Sequence, residues 1–376
     1  MGLLTVEIIA PDSAHWSRWI DDALGTDAER RAAARGFHQR LLDQGKIPFL
    51  SWHHLEELLG IESDANARAR IAYLQSLPLI AWMRMPGAES GVGAVTDILA
   101  AEAIAVDRGC ASPADVRDQV RGRLMQTGSG ADAIGTEAWI WEVVRPELLA
   151  RRSHSDMVAA LAGFRSLDDG LTFGALAAKQ RSSPAERDRT LARIRADVVR
   201  ESLSADPART IEEARVMGDM FVGRVLALMP PDEIGARDMM LATYEAQGID
   251  PQEIHDDCKI SDLARLGTFR SHLRLVAEKT DLPFERLKRV PMQQLPSWLI
   301  TQALQTHGQK RALRPGSDVH DEHLAVLAAY TDRLYVDKRT HEDFRRALQK
   351  APQIAALVGT ISKAPRYGDL AESIST

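Results

Sequence analysis

Hydrophobic and polar positions change their period twice along the chain. Over the first 86 residues, short apolar runs alternate with longer stretches of helical spacing. "LLTVEIIA" (3–10) is rich in β-branched residues and stops at Pro11; "KIPFLS" (46–51) and "LPLIAWMR" (77–84) are further short runs. Each reads as a strand. Residues 13–44 read as two helices, with Asp12 or Ser13 placed to cap the first and Asp27 the second. "WHHLEELLG" predicts a helix with Ser51 at its N-cap, closed by Gly60, and another helix follows near 64–75.

From about 88 to 315 the pattern becomes almost wholly helical. "SPADVRDQVRGRLM" (112–125) sets Ser112, Pro113 and Asp115 in the order that a helix start prefers, and "SSPAERDRTLARIRADVVRESL" (182–203) repeats the device. "TGSGADAIGT" (127–136) lacks the lysine of a phosphate-binding loop and follows no clear strand, so it reads as a loop.

Alternation returns at the end. "HDEHLAVLAAY" (320–330) has helical spacing, "RLYVD" (333–337) is a strand, and "THEDFRRALQK" is a helix opened by Thr340. "IAALVGTI" (354–361) reads as a last strand, although its periodicity also fits a helix. The expectation is an α/β fold. Residues 1–86 and 316–376 form one discontinuous domain with a parallel sheet, and 87–315 form a helical insertion, which a loop tolerates.

Composition narrows the function classes. With 45% hydrophobic residues in 376, a sizeable core is affordable. Lys and Arg (47) nearly balance Asp and Glu (53), which argues against a chain that coats nucleic acid through bulk charge and leaves room for a local basic groove. The two cysteines, Cys110 and Cys258, are far apart, so a disulfide framework is not expected and a reducing cytoplasm fits. The N-terminal stretch lacks a basic n-region, and "LPLIAWM" is too short to span a bilayer; no membrane association is expected.

Chemistry enters through carboxylates. In an open parallel sheet, ligands bind beyond the carboxyl ends of the strands, where strand order reverses. Asp12 follows the first strand, Glu57 lies on the helix after the second, Asp321 starts a helix, and Asp337 ends the next strand. Four carboxylates from four segments can meet at one edge, and hard oxygen ligands of this kind suit Mg²⁺ or Mn²⁺. Glu56 competes with Glu57 and reads as solvated, and Asp332 reads as a residue of the opposite strand end.

The ordered set "IIAPDS", "FLSWHHLEELLG", "DEHLAVLAA" and "DRLYVDKRT" resembles the PIN-domain nuclease family. The resemblance covers the two terminal segments. It implies a PIN-like three-layer fold and metal-assisted hydrolysis of phosphodiester bonds, with RNA as the expected substrate. It implies Asp12, Asp321 and Asp337 as metal ligands and catalytic residues. Glu57 would ligate an ion or orient the attacking water, and products would carry 5′-phosphate and 3′-hydroxyl ends. Ser51, Lys338 and Arg339 are expected beside substrate. The fourth motif has one aspartate where many members have a pair. That departure supplies the alternative: a catalytically weak scaffold whose helical block binds protein or nucleic acid.

Other clusters read more simply. "HDEH" offers His320 and His323 to zinc without a third ligand, and "EIHDDC" (253–258) reads as a capping loop. Trp52, Trp139 and Trp141 read as core. Arg189, Arg193 and Arg200, Arg270 and Arg274, the group Arg286, Lys288 and Arg289, and "QKRALR" (309–314) form stripes that suit either a phosphate backbone or solvent.

Overall fold

A computed structural model describes residues 6–61, 63–85, 91–137, 139–149, 170–178, 184–205, 209–228, 236–280, 282–309 and 323–372. The chain divides into two compact units. The described residues of the first fall within Met1–Arg152, Glu285–Lys310 and His320–Thr376, and those of the second within Ser153–Phe284 and Arg311–Val319.

The first unit is built on a parallel sheet. Its strands are β1 (Glu7–Ala10), β2 (Lys46–Pro48), β3 (Ile80–Met83), β4 (Met125–Gly128), β5 (Arg333–Tyr335) and β6 (Thr360–Ser362). Four run parallel in the order β2-β1-β5-β6. β3 reaches the outer side of β2 through the Phe49–Ala81 bridge, where Leu50 N–H donates to the Ala81 carbonyl at 2.8 Å. β4 then pairs antiparallel with β3.

Strand alternation sends side chains to two cores, one on each face. Ile8, Ala10, Phe49, Leu334 and Val336 enter one core, and Ile9, Leu50 and Tyr335 enter the other. The second core is covered by α1 (Ser13–Leu24), α2 (Ala28–Asp43), α3 (Trp52–Leu59) and α4 (Asp64–Gln75). Trp16, Trp19, Phe37, Leu41, Leu58 and Ile71 seal it. Trp16 and Trp19 stack at 4.9 Å and send their indole N–H groups to the Phe49 and Ala34 carbonyls, so neither ring hides an unpaired donor. The first core lies under α5 (Val95–Asp107), α6 (Pro113–Leu124), α15 (Pro296–His307) and α16 (Lys338–Lys350), through Ile98, Val120, Ile300 and Phe344. Burying a side chain such as Phe344 contributes about 1.5–3 kcal/mol.

The helix starts follow local chemistry. Asp12, Asp27, Ser51, Ser63, Ser112 and Asp337 each accept a backbone N–H from the first turn of the helix they precede. α16 therefore starts two residues before Thr340, because Asp337 rather than Thr340 is its cap. Gly45, at φ 70°, turns the chain into β2, a conformation that disfavours any Cβ. Gly130 opens α7 (Gly130–Ile134), where its backbone presses on Leu74.

The sheet-bearing unit reaches further along the chain than 1–86 and 316–376. α5, α6, β4, α7, the helix at 139–149 (α8) and α15 all belong to it, because their apolar faces close the two cores. Within 127–136, expected as loop, residues 127–128 belong to β4 and 130–134 form α7, while residue 125, expected at the end of a helix, opens β4; β3 supplies the open edge with which Met125–Gly128 pair. Residues 352–354 form a 3₁₀ turn, and the last strand is confined to Thr360–Ser362. Trp141 packs near Trp52, but Trp139 is 60% exposed rather than core.

The second unit is helical in its described residues: α9 (Phe173–Ala177), α10 (Pro184–Ala205), α11 (Ile211–Leu228), α12 (Ala236–Ala246) and α13 (Ile260–Lys279), after which α14 (Phe284–Leu287) leads back to the first unit. Phe173, Tyr244, Ile249, Ile254 and Leu263 form its core. α10 and α11 pack along one another, with Arg195 bonded to Asp219 across the seam.

Candidate functional site

β1 and β5 are neighbours in register Ile9–Arg333 and Ala10–Leu334. From β1 the chain goes to β2 and β3 on one side, and later to β5 and β6 on the other. The reversal of strand order therefore falls between β1 and β5. Asp12 stands two residues beyond Ala10, and Asp337 two residues beyond Tyr335. Ser51 follows β2 in the next row. The carboxyl edge thus presents three N-caps side by side.

Each cap is specific. Asp12 Oδ1 accepts Ala14 N–H at 3.2 Å, and Asp337 Oδ1 accepts Thr340 N–H at 2.6 Å. Ser51 is buried; its hydroxyl accepts His54 N–H at 3.2 Å, while its own N–H donates to His54 Nδ1 at 3.0 Å. The Ser51 hydroxyl is thereby committed to the helix start. Glu57 lies half-buried in the second turn of α3. Lys338 and Arg339 are exposed in the first turn of α16. Asp321 lies outside the described residues, as does His320.

Glu56, expected to be solvated, is engaged instead. Its two oxygens take Trp52 Nε1–H at 2.7 Å and His53 Nδ1 at 2.9 Å. The His53 ring lies 4.5 Å from that of His323. Behind them, His54 is fully buried; burial, then His53, hold it down to about 3, against the pull of the Pro11 carbonyl. His15 Nε2–H donates to the Ala364 carbonyl at 2.8 Å, and its ring meets Tyr335 edge-on at 6.4 Å. Ser13 Oγ, His15 Nδ1 and Tyr335 Oη are buried polar atoms without a hydrogen bond from the described residues. Nothing in the sequence marked His15 or Tyr335 at this edge, and Glu56 read there as solvated. The i, i+3 spacing of His53 and Glu56 was the available signal.

For a divalent metal, the described residues supply two carboxylates flanking the reversal point. Among the described residues, no group of three or more His, Cys, Asp or Glu converges closely enough to hold an ion. Asp332 occupies the opposite end of the sheet, accepting Ile8 N–H at 2.8 Å and pairing with Arg121.

The basic stripes are largely spent within the fold. Arg270 bonds Glu253, Arg274 lies over Phe284 at 5.0 Å, Arg286 pairs with Asp107 at 2.6 Å, and Lys288 pairs with Glu285 at 3.1 Å. Arg193 remains exposed, and Lys310, Arg311 and Arg314 lie outside the described residues. Among the described residues, no helix is long and apolar enough to cross a membrane.

The chain matches no protein-family model, no curated protein and no solved structure.

Proposed function

We propose that the protein is a metal-dependent, PIN-like nuclease acting on RNA, with the helical second unit as a site for a nucleic-acid or protein partner. The observation that carries this reading is the position of Asp12 and Asp337, each two residues past the carboxyl end of adjacent parallel strands where strand order reverses. Each cap uses Oδ1 and leaves a second carboxylate oxygen able to face a cation. Asp12 and Asp337, together with Asp321 and Glu57, would hold Mg²⁺ or Mn²⁺. When bound, such an ion supplies an activated water and screens charge growing on the phosphate. Lys338 and Arg339, beside Asp337, meet the substrate backbone. Ser51 keeps α3, and hence Glu57, in register with the edge.

Cleavage of single-stranded RNA in Mg²⁺ or Mn²⁺ by the full chain, compared with Asp12→Asn and Asp337→Asn, tests the reading. Loss of cleavage in both folded variants is expected. Wild-type rates in both variants, or an inert wild-type protein, would overturn it.

The engagement of both aspartates as helix caps favours a second reading, a PIN-like scaffold that binds without cutting. Under that reading, binding of RNA or of a protein partner survives both asparagine substitutions and is indifferent to metal.

A further inference from the structure

Glu102, in α5, is 0% exposed and takes part in no ion pair among the described residues. Its carboxyl accepts Ser297 N–H at 2.9 Å and the Ser297 hydroxyl at 2.6 Å, and the Tyr330 hydroxyl donates to it as well. Ser297 is the second residue of α15, whose N-cap Leu295 has no side chain able to accept. Glu102 thus supplies from another helix the acceptor that α15 lacks at its own start. Tyr330 stands just before β5. One carboxyl therefore joins α5, the helix that returns to the sheet unit, and the approach to β5.

The surroundings hold little other charge. α6 brings Arg117, which faces Tyr330 but is tied to Asp118 and to the Ala356 carbonyl. α15 brings no charged group at this end, and residues 326–330 bring Tyr330 alone. Burial pushes the Glu102 carboxyl up to about 7, with the Ser297 and Tyr330 hydrogen bonds pulling the other way. The serine and tyrosine hydroxyls can accept as well as donate, so the node stays hydrogen-bonded when the carboxyl carries its proton.

We propose that Glu102 is a proton-operated latch, which docks α15 firmly when its carboxyl is protonated and loosens it on ionisation. An undocked Glu102 titrates near 4.5 and the docked one near 7, so docking is strongest at low pH and weakens as pH rises through about 7. The device is independent of the nuclease reading.

Hydrogen exchange of residues 296–307 in the full chain, corrected for intrinsic rates at about pH 6 and about pH 8.5, reads the latch. Protection should fall about tenfold or more across that interval in the wild type. It should stay level in Glu102→Gln. An equal fall in Glu102→Gln, or no fall in the wild type, overturns the proposal. Should Glu102→Gln fail to fold, Tyr330→Phe serves instead. It removes a donor to the ionised carboxylate and must move the transition to higher pH; an unmoved midpoint overturns the latch equally.

Discussion

Asp12 and Asp337 play the same part after two neighbouring strands: each follows its strand by two residues and caps the helix that comes next, with Asp337 one residue farther along in the register. They cap helices on opposite faces, since α1 belongs to one core and α16 to the other. The reversal point is thus bracketed by two carboxylates that the fold itself requires.

Capping and the proposed role in metal binding can be separated experimentally. Asparagine caps a helix about as well as aspartate, whereas alanine costs about 1 kcal/mol. Asp337→Ala should lose about that much stability and Asp337→Asn only a few tenths, while both lose RNA cleavage. Urea denaturation beside a cleavage assay checks this. A cleaving Asp337→Asn variant would reduce Asp337 to a cap.

Under the nuclease reading, a metal held by these carboxylates would bind the native state alone and so stabilise it by mass action. Mn²⁺ at millimolar levels should raise the wild-type melting temperature by several degrees and leave Asp12→Asn/Asp337→Asn unmoved. Equal shifts in the two proteins would place the ion elsewhere.

His54 predicts an acid limb in stability. In the fold it stays neutral until about 3, whereas in the unfolded chain it protonates near 6.5. The unfolded state therefore binds more protons between those values. The stabilisation is complete above about 6.5 and is lost as pH falls toward 3. At about 1.4 kcal/mol per pH unit, several kcal/mol are at stake. Unfolding midpoints from pH 7 down to pH 4 should drop steeply in the wild type and less steeply in His54→Gln.

Two glycines should respond oppositely to alanine. A Cβ at Gly130 would meet the Leu74 carbonyl oxygen at 1.7 Å, so Gly130→Ala must displace backbone between α4 and α7. At Gly122, inside α6 and exposed, nothing lies within 4 Å. Gly122→Ala should add about 0.5–1 kcal/mol. Gly130→Ala should cost more than it adds, as thermal melts of the pair will read.

The parts of the fold legible in sequence are those decided locally. Asp27, Ser51, Ser63 and Ser112 announce their helices because a cap needs only its own first turn. β4 was hidden because "MQTG" has no strand pattern of its own; it pairs because β3 leaves an edge, a fact held 45 residues away at Ile80–Met83. The reach of the sheet unit was hidden for a similar reason: α5 and α15 look like any amphipathic helix until their cores are known. At the candidate site, the acids were visible as ends of runs. Glu56 was misread because nothing in the sequence shows that Trp52 and His53, one turn earlier on the same helix, bond to it.

β1 carries a last consequence, for the order in which the chain acquires its structure. Its two neighbours are β2, which follows closely, and β5, to which Ile8 is bound across 324 residues through Asp332. During synthesis β1 has one open side until β5, at Arg333–Tyr335, has emerged. Closing so long a loop is entropically slow, and an unpaired inner strand invites association with other chains. The second unit, with a core of its own, can compact first and shorten the loop to be closed. A truncation ending before Arg333 should therefore keep that unit helical, while its N-terminal part aggregates through the exposed side of β1.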